Sequence, residues 1–214
     1  MSSVWWRLIL FGFRLLYNEF AFTYDVVSYL VSLGAWRCWQ RSALKHLDLA
    51  AGEPVLELAF GTGNLQLDLH AAGYQVVGCD LSPYMGRIAR RKLLQRHLPA
   101  RLVRGSAYGL PFPAQAFAAV VSTFPTDFIV QPETLTEVYR VLRPDGRFVI
   151  VPNGVLTGRG PVEAGVEWLY RITGQRGDGT NIEAFLAGFG FEAHALHERC
   201  PRSMTQVIAA RKRA

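Results

Sequence analysis

Short apolar runs alternate with amphipathic segments through the middle of the chain. Five of the runs have the length and composition of buried strands: residues 54–59, 75–80, 100–105, 117–123 and 146–151. Segments with a helical pattern lie between most of these runs, at residues 64–73, 82–98 and 132–142. Strands that alternate with helices in this way are typical of a parallel sheet with helices on both of its faces.

The alternation loosens after residue 151, where the chain is rich in glycine. Helical patterns over residues 162–172 and 181–191 precede two closing strands, near residues 191–198 and 204–211. We therefore predict an α/β fold, a Rossmann-like doubly wound seven-stranded sheet that is mostly parallel with a closing antiparallel strand, plus N-terminal helices.

The first part of the chain is helical in pattern, with candidate breaks near Asn18 and Gly34. We predict an N-terminal helical segment over residues 1–48 and a main domain over residues 49–214. Charged residues interrupt the apolar stretch too often for a membrane span. Two interpretations stay open for its first helix, which either docks on the body of the fold or lies in a membrane interface.

A glycine turn follows the first strand and indicates a ligand site. Gly61 and Gly63 let the backbone approach a ligand where open α/β sheets bind one. The turn reads GTGNLQ, so Gln66 stands where a dinucleotide site has its third glycine, and no P-loop signature occurs. Glu57 would repel a pyrophosphate, whereas it can serve the cationic end of an amino-acid-bearing nucleoside. Asp80, at the end of the second strand, can accept hydrogen bonds from both ribose hydroxyls.

Four stretches occur in order at a characteristic spacing: ELAFGTGN, GCDLSPYM, RGSAYGLPFPAQAFAAVVS and EVYRVLRPDGRFVIV. Over residues 50–151 they resemble the class I S-adenosylmethionine-dependent methyltransferases. Residues 20–39, FAFTYDVVSYLVSLGAWRCW, are similar to the segment ahead of the domain in the C-methyltransferases of menaquinone and ubiquinone biosynthesis.

The resemblance implies S-adenosyl-L-methionine as cofactor, S-adenosyl-L-homocysteine as product, and a set of binding residues. The methionine portion would face Glu57, Ala59, Phe60, Gly61 and Gly63. The nucleoside would contact Asp80, Leu81, Ser106 and Ala107. The methyl group would face Thr123 and Phe124, and Tyr24 would close over the cofactor. The chain departs from the family where Ala59 replaces a turn glycine and Ser106 replaces an adenine-binding acid.

Asp127 is the only ionisable side chain in the loop STFPTDFI (122–129), which would cover the transferred methyl group. We name it as the candidate base or acceptor-orienting residue. The aromatic N-terminal segment, the apolar loop and the resemblance favour a small lipophilic acceptor, such as a quinone, a phenol or a lipid amine. The Asp/Asn-Pro-Pro-aromatic signature of nucleic-acid amino-methyltransferases is absent from this loop, which disfavours a nucleic-acid substrate.

The net charge of +6 favours anionic partners. Residues 87–104 carry seven Arg or Lys and no acid, as either a solvated helix face or a patch for acidic lipid or nucleic acid. Two alternatives to the enzyme therefore stay open: a non-catalytic cofactor-binding module at a membrane or partner surface, and an RNA methyltransferase using this basic face. We predict a cytoplasmic location, with peripheral contact at the inner membrane face as an open extension; the sequence does not determine the oligomeric state.

The three cysteines, Cys38, Cys79 and Cys200, are odd in number and widely spaced. They form no metal-binding pattern with the scattered histidines, so we predict no metal site. The spacing also favours a reducing compartment, with each cysteine as a small buried hydrophobic residue.

Overall fold

The computed structural model describes residues 20–158 and 182–213, together with Gly12, residues 160–161, residues 164–166 and Trp168. The predicted first N-terminal helix and the predicted helix over 162–172 lie largely outside the described residues. Among the described residues the α-helices are α1 (Tyr24–Val31), α2 (Trp36–Ser42), α3 (Asn64–Ala71), α4 (Pro83–Gln95), α5 (Pro132–Val141) and α6 (Ile182–Ala187). None of them is both long enough and apolar enough to cross a bilayer.

The described strands form one mixed sheet. They are β1 (Pro54–Leu58), β2 (Gln75–Asp80), β3 (Leu102–Arg104), β4 (Phe117–Thr123), β5 (Leu142–Val151), β6 (Gly154–Leu156), β7 (Phe191–Cys200) and β8 (Ser203–Lys212). The order across the sheet is β3-β2-β1-β4-β5-β8-β7, and the short β6 pairs with β8 on the same edge as β5. The first five strands pair in parallel, and β8 pairs antiparallel with β5, β6 and β7.

The predicted doubly wound sheet is confirmed, with one strand more than the seven predicted. The extra strand, β6, continues the path of β5 along β8: Ile150 pairs with Ile208, and Gly154 pairs with Thr205. A strand of three residues directly after Pro152 and Asn153 has no periodicity that could reveal it from sequence.

Two apolar layers cover the two faces of the sheet. Because successive side chains of a strand point to opposite faces, Val120 of β4 enters one layer, whereas Ala119 and Val121 enter the other. The first layer includes Leu135 of α5, and the second includes Leu65 of α3. Helices therefore pack on both faces, and the carboxyl ends of the parallel strands are left free to form a site.

The N-terminal segment is attached to the far end of the chain. Trp39 of α2 is buried, and its Nε1 donates a hydrogen bond to Ser203 Oγ at 3.0 Å. Cys38, also on α2, forms a disulfide with Cys200 at the end of β7, and the two Cα atoms lie 6.0 Å apart. Residues 36–42 are therefore part of the folded body.

The disulfide contradicts the prediction that all three cysteines are reduced hydrophobic residues. Cys38 and Cys200 are 162 residues apart, so only the tertiary fold brings them together. Cys79 does agree with the prediction, since it is free and buried, and burial raises the pKa of its thiol to about 11. Cys79 is thus a thiol at neutral pH, which makes it a poor nucleophile.

Candidate cofactor and acceptor site

A cavity of about 450 Å³ opens at the carboxyl ends of β1, β2 and β4. This volume lies in the range of about 300–1,000 Å³ that is usual for small-molecule sites. The lining residues are Tyr24, Leu58, Ala59, Gly61, Cys79, Asp80, Leu81, Ser82, Met85, Gly105, Ser106, Ala107, Tyr108, Thr123, Phe124, Pro125, Thr126 and Phe128.

The cavity brings together most of the residues that the sequence singled out. Nine of the thirteen line it: Tyr24, Ala59, Gly61, Asp80, Leu81, Ser106, Ala107, Thr123 and Phe124. Four others, Glu57, Phe60, Gly63 and Asp127, do not. The sequence missed several neighbours, among them Ser82 and Gly105, although each directly follows or precedes a predicted residue at a strand end.

Asp80 is the charged centre of the cavity wall. Its Oδ2 accepts a hydrogen bond from the Gly61 amide at 2.9 Å, and its Oδ1 accepts one from the Ser82 amide at 2.8 Å. Burial raises the pKa of Asp80, although these backbone hydrogen bonds act in the opposite direction. Asp80 therefore holds the glycine turn of β1 in place while its remaining lone pairs stay available to hydroxyl groups.

Gly61 and Gly63 have different surroundings. A Cβ added to Gly61 would meet no atom within 4 Å, so this glycine leaves space along the cavity wall. A Cβ on Gly63 would lie 2.7 Å from the Cβ of Ala89, and the φ of Gly63 is 79°. Gly63 thus serves the packing of the turn against α4 rather than the cavity surface.

Ala59 adopts a left-handed conformation, with φ 53°, at the position where the family has glycine. Its amide donates to Cys79 O at 2.8 Å, which fixes this backbone against β2. A left-handed conformation costs an L-residue about 1–2 kcal/mol. The turn therefore keeps the geometry that a glycine would give it, at a cost in stability.

Ala59→Gly is expected to raise the free energy of unfolding by about 0.5–1 kcal/mol, because relief of this strain exceeds the entropy gained by the unfolded chain. Urea denaturation measures the change. Ala100→Gly is the control, since Ala100 has no positive φ and the same replacement there should lower the stability. A destabilised Ala59→Gly variant would show that Ala59 is not strained.

Glu57 and Phe60 lie behind the cavity wall. Glu57 is 1% exposed, and Gln66 Nε2 donates a hydrogen bond to its Oε2 at 2.7 Å. Burial, opposed by the Gln66 hydrogen bond and assisted by the Asp80 charge, raises the pKa of Glu57 to about 8. Phe60 packs against Gly78, where an added Cβ would lie 2.6 Å from the ring. Glu57 is accordingly protonated at neutral pH in the ligand-free protein.

The far wall of the cavity is apolar and includes a strained aromatic residue. Phe124, with φ 52°, follows β4, and its ring stacks on Trp36 at a centroid distance of 3.8 Å and an interplanar angle of 24°. Gln40 Nε2 donates to Thr123 Oγ1 at 3.4 Å from the N-terminal segment. Both contacts join residues that lie more than 80 positions apart in the chain, so no local sequence pattern could predict them.

Asp127 is exposed and does not line the cavity, although Thr126 and Phe128 on either side of it do. It begins the short 3-10 helix Asp127–Val130. The structure thus leaves its carboxylate at the rim.

A clasp that the sequence did not reveal joins the N-terminal segment to the glycine turn. Asp25 Oδ1 accepts hydrogen bonds from Thr62 Oγ1 at 2.6 Å and Asn64 Nδ2 at 2.9 Å, and its Oδ2 forms an ion pair with Lys92 at 2.5 Å. Burial favours a higher pKa for Asp25, but the hydrogen bonds and the Lys92 charge lower it below the ordinary value. The clasp fixes α1, which starts at the cavity-lining Tyr24.

Asp25→Asn is expected to weaken binding of S-adenosylhomocysteine by about 10-fold, because the loss of a charge-assisted hydrogen bond loosens both Tyr24 and the turn. Calorimetry measures the dissociation constant. Arg41→Gln is the matched control, because Arg41 also forms an ion pair from the N-terminal segment, with Asp68, but away from the cavity. Equal weakening by both variants would contradict a specific role of the clasp.

The cavity fits a nucleoside that carries an amino acid. It combines a carboxyl group at a strand end, an open glycine and an apolar far wall, whereas a site for a pyrophosphate would not place the Asp80 carboxylate against the glycine turn. Among the described residues, no group of three or more His, Cys, Asp or Glu is arranged to hold a metal ion.

Comparison with known proteins gives three results. The family model described as "Methyltransferase domain" matches residues 55–146. Demethylmenaquinone methyltransferase of Thermus thermophilus is 42% identical over 139 residues, which cover 64% of this chain and 63% of that relative. Ubiquinone/menaquinone biosynthesis C-methyltransferase UbiE of Syntrophotalea carbinolica is 34% identical over 191 residues, which cover 81% of this chain and 79% of that relative.

Solved structures agree on the fold. A putative methyltransferase from Bacillus halodurans aligns with a TM-score of 0.60 at 19% identity, over 82% of this chain and 99% of that one. The chain spans less than two thirds of several curated relatives, such as that of Thermus thermophilus, but 79% of UbiE. The chain belongs to the class I S-adenosylmethionine-dependent methyltransferases, in the family that contains the ubiquinone/menaquinone biosynthesis C-methyltransferases.

Proposed function

We propose that this protein transfers a methyl group from S-adenosyl-L-methionine to a small lipophilic acceptor of the quinol type. The observation that carries the proposal is the division of one cavity into a polar side, with Asp80 and Gly61, and an apolar side, with Phe124, Pro125 and Phe128. The relatives, which are named as methyltransferases of demethylmenaquinone and of ubiquinone/menaquinone biosynthesis, support the acceptor class.

In this proposal Asp80 accepts the ribose hydroxyls, and Leu81, Ser106 and Ala107 surround the adenine. The turn from Ala59 to Gly61 holds the methionine portion of the cofactor. Glu57 faces this portion from behind the cavity wall. Tyr24 closes over the cofactor, so the part of the N-terminal segment (1–48) around Tyr24 and Asp25 acts as a lid on the catalytic domain (49–214), whereas residues 36–42 belong to the folded body. Support for the lid comes from the Asp25 clasp and from the Trp36–Phe124 stack.

The bound cofactor supplies a sulfonium methyl group, which is already activated for in-line displacement. The protein then contributes alignment and exclusion of water. Thr123 and Phe124 bound the side of the cavity where the acceptor would meet the methyl group. The Trp36 ring behind Phe124 fixes that wall, which favours a flat apolar acceptor.

Methyl transfer from labelled S-adenosylmethionine tests the proposal. A reduced demethylnaphthoquinone should accept label, whereas phosphatidylethanolamine, a simple phenol and RNA should accept little. Asp145→Asn, which removes a carboxylate from an exposed ion pair with Arg211, is the control variant with full activity. Cofactor binding without transfer to any acceptor would favour the non-catalytic module, and transfer to RNA would favour use of the basic face.

Asp127→Asn is expected to reduce kcat for the acceptor by about 10-fold, because a rim carboxylate that orients the acceptor or takes its proton contributes to the chemical step. Binding of S-adenosylhomocysteine should not change, because Asp127 lies outside the cavity lining. An unchanged kcat would leave Asp127 as a solvated loop residue.

The cytoplasmic location stays a prediction. Disulfides are rare in a reducing cytosol, so an intact Cys38–Cys200 bridge in protein isolated from its own cells under thiol-trapping conditions would count against it.

A further inference from the structure

One face of α1 and its flanking residues exposes large apolar side chains. Phe22, Val26, Tyr29, Leu30 and Leu33 are 72%, 60%, 63%, 61% and 45% exposed. Val26, Tyr29 and Leu30 lie side by side on α1, and Phe22 and Leu33 flank its two ends; we call these five residues the apolar stripe. Single exposed apolar residues are common on proteins, but a contiguous set of this kind marks an interaction site.

The orientation of α1 is fixed by Ser28 and Asp25, which lie on sides of the helix turned away from Val26 and Leu30. Ser28 is 4% exposed, and Asp25 is held by Thr62, Asn64 and Lys92. A rotation of the helix that would bury the stripe would break these contacts. The stripe therefore faces outward as a consequence of the clasp.

A row of arginines lies on the neighbouring helix. Arg87, Arg90 and Arg91 are exposed on α4, and no acid occurs between residues 87 and 104. The Lys92–Asp25 ion pair joins α4 to α1, and the 3-10 helix Ala21–Thr23 packs against α4. The apolar stripe and the arginine row thus belong to adjacent elements.

We propose that this combined surface binds an anionic lipid bilayer. Exposed apolar side chains on α1 and exposed arginines on the adjoining α4 match the acyl boundary and the charged headgroups of such a bilayer. A symmetric dimer through the same surface would bring two arginine rows together, and RNA would leave the stripe in water. The bilayer is therefore the partner that satisfies both parts of the surface.

The surface borders the cavity, so binding to a bilayer would bring the cavity close to acceptors dissolved in that bilayer. Tyr24, the first residue of α1, lines the cavity, as do Leu81 and Tyr108, which are 68% and 53% exposed. A lipophilic acceptor dissolved in the bilayer would then reach the cavity without crossing water. This delivery of the acceptor rests on the proposed function, whereas the lipid binding itself does not.

Co-sedimentation of the 214-residue chain with vesicles, in the absence of cofactor and acceptor, tests the proposal. The protein should bind vesicles that contain phosphatidylglycerol, bind phosphatidylcholine vesicles weakly, and lose affinity as salt increases. Arg87→Gln/Arg90→Gln/Arg91→Gln should weaken binding at least about 30-fold, since each basic residue near the surface contributes. Val26→Ser/Leu30→Ser should weaken it similarly, because the stripe no longer enters the acyl boundary.

The matched control is Arg143→Gln/Arg147→Gln/Arg211→Gln, which removes the same charge from exposed ion pairs elsewhere. Retained binding in this control supports the proposal, and equal loss overturns it. Full binding by Val26→Ser/Leu30→Ser, or a dimer in ultracentrifugation that this variant abolishes, also overturns it. Binding of S-adenosylhomocysteine verifies that each variant is folded.

The proposed lipid binding and the proposed enzyme activity can be refuted separately. Absent vesicle binding with normal turnover of a detergent-solubilised acceptor would refute the surface and leave the proposed function. Vesicle binding without turnover of any acceptor would support the surface and refute the proposed function.

Discussion

Asp80→Ala is expected to weaken binding of both S-adenosylmethionine and S-adenosylhomocysteine by at least about 100-fold. The substitution removes a carboxylate that would bind the ribose through charge-assisted hydrogen bonds, each worth about 1.5–3 kcal/mol. It also removes the acceptor of the Gly61 amide, which holds the glycine turn. Calorimetry measures the loss, with Asp145→Asn as the control that changes an exposed carboxylate far from the site.

A ligand analogue separates the two effects of Asp80. An S-adenosylhomocysteine analogue that lacks the ribose 2′-hydroxyl should bind the wild-type protein more weakly, and this penalty should vanish in Asp80→Ala. If the penalty is the same in both proteins, Asp80 acts through the turn and not through the ribose. Binding by Asp80→Ala that is as tight as binding by the wild-type protein would contradict the proposed cofactor pose altogether.

The sequence was informative where local patterns determine structure. Apolar runs predicted β1, β2 and β4, and their order predicted the sheet, because the carboxyl ends of parallel strands meet at one edge. Asp80 and Gly61 were identified by their position at those ends. Their meeting at 2.9 Å follows from the pairing of β1 with β2.

The sequence was uninformative where distant residues meet. Asp25 and Lys92 are 67 residues apart, and Cys38 and Cys200 are 162 apart, so neither pair could be predicted from spacing. Gly63 shows another limit, because a turn glycine permits close approach of a ligand or of a helix equally well. The close contact is with Ala89 of α4, and only the packing of the turn decides between the two.

Glu57→Gln is expected to make the protein more stable at high pH. The folded protein holds a proton on Glu57 up to about pH 8, whereas the unfolded chain releases it near the ordinary pKa of 4.5. Between these values the folded state binds more protons, so the free energy of unfolding falls as pH rises. The total fall is about 5 kcal/mol, at about 1.4 kcal/mol for each pH unit. Glutamine stays neutral and removes this dependence.

Urea denaturation at a series of pH values measures the effect. Glu57→Gln and wild type should have similar stability near pH 4.5, because both side chains are then neutral and can accept the Gln66 hydrogen bond. The variant should gain progressively up to about pH 8 and then keep a constant advantage. Glu53→Gln is the control, since Glu53 lies just ahead of β1 in an exposed ion pair with Arg143 and should leave the slope of wild type unchanged. Parallel stability curves for Glu57→Gln and wild type would mean that Glu57 is ionised in the folded protein and that a cation or water reaches it behind the cavity wall.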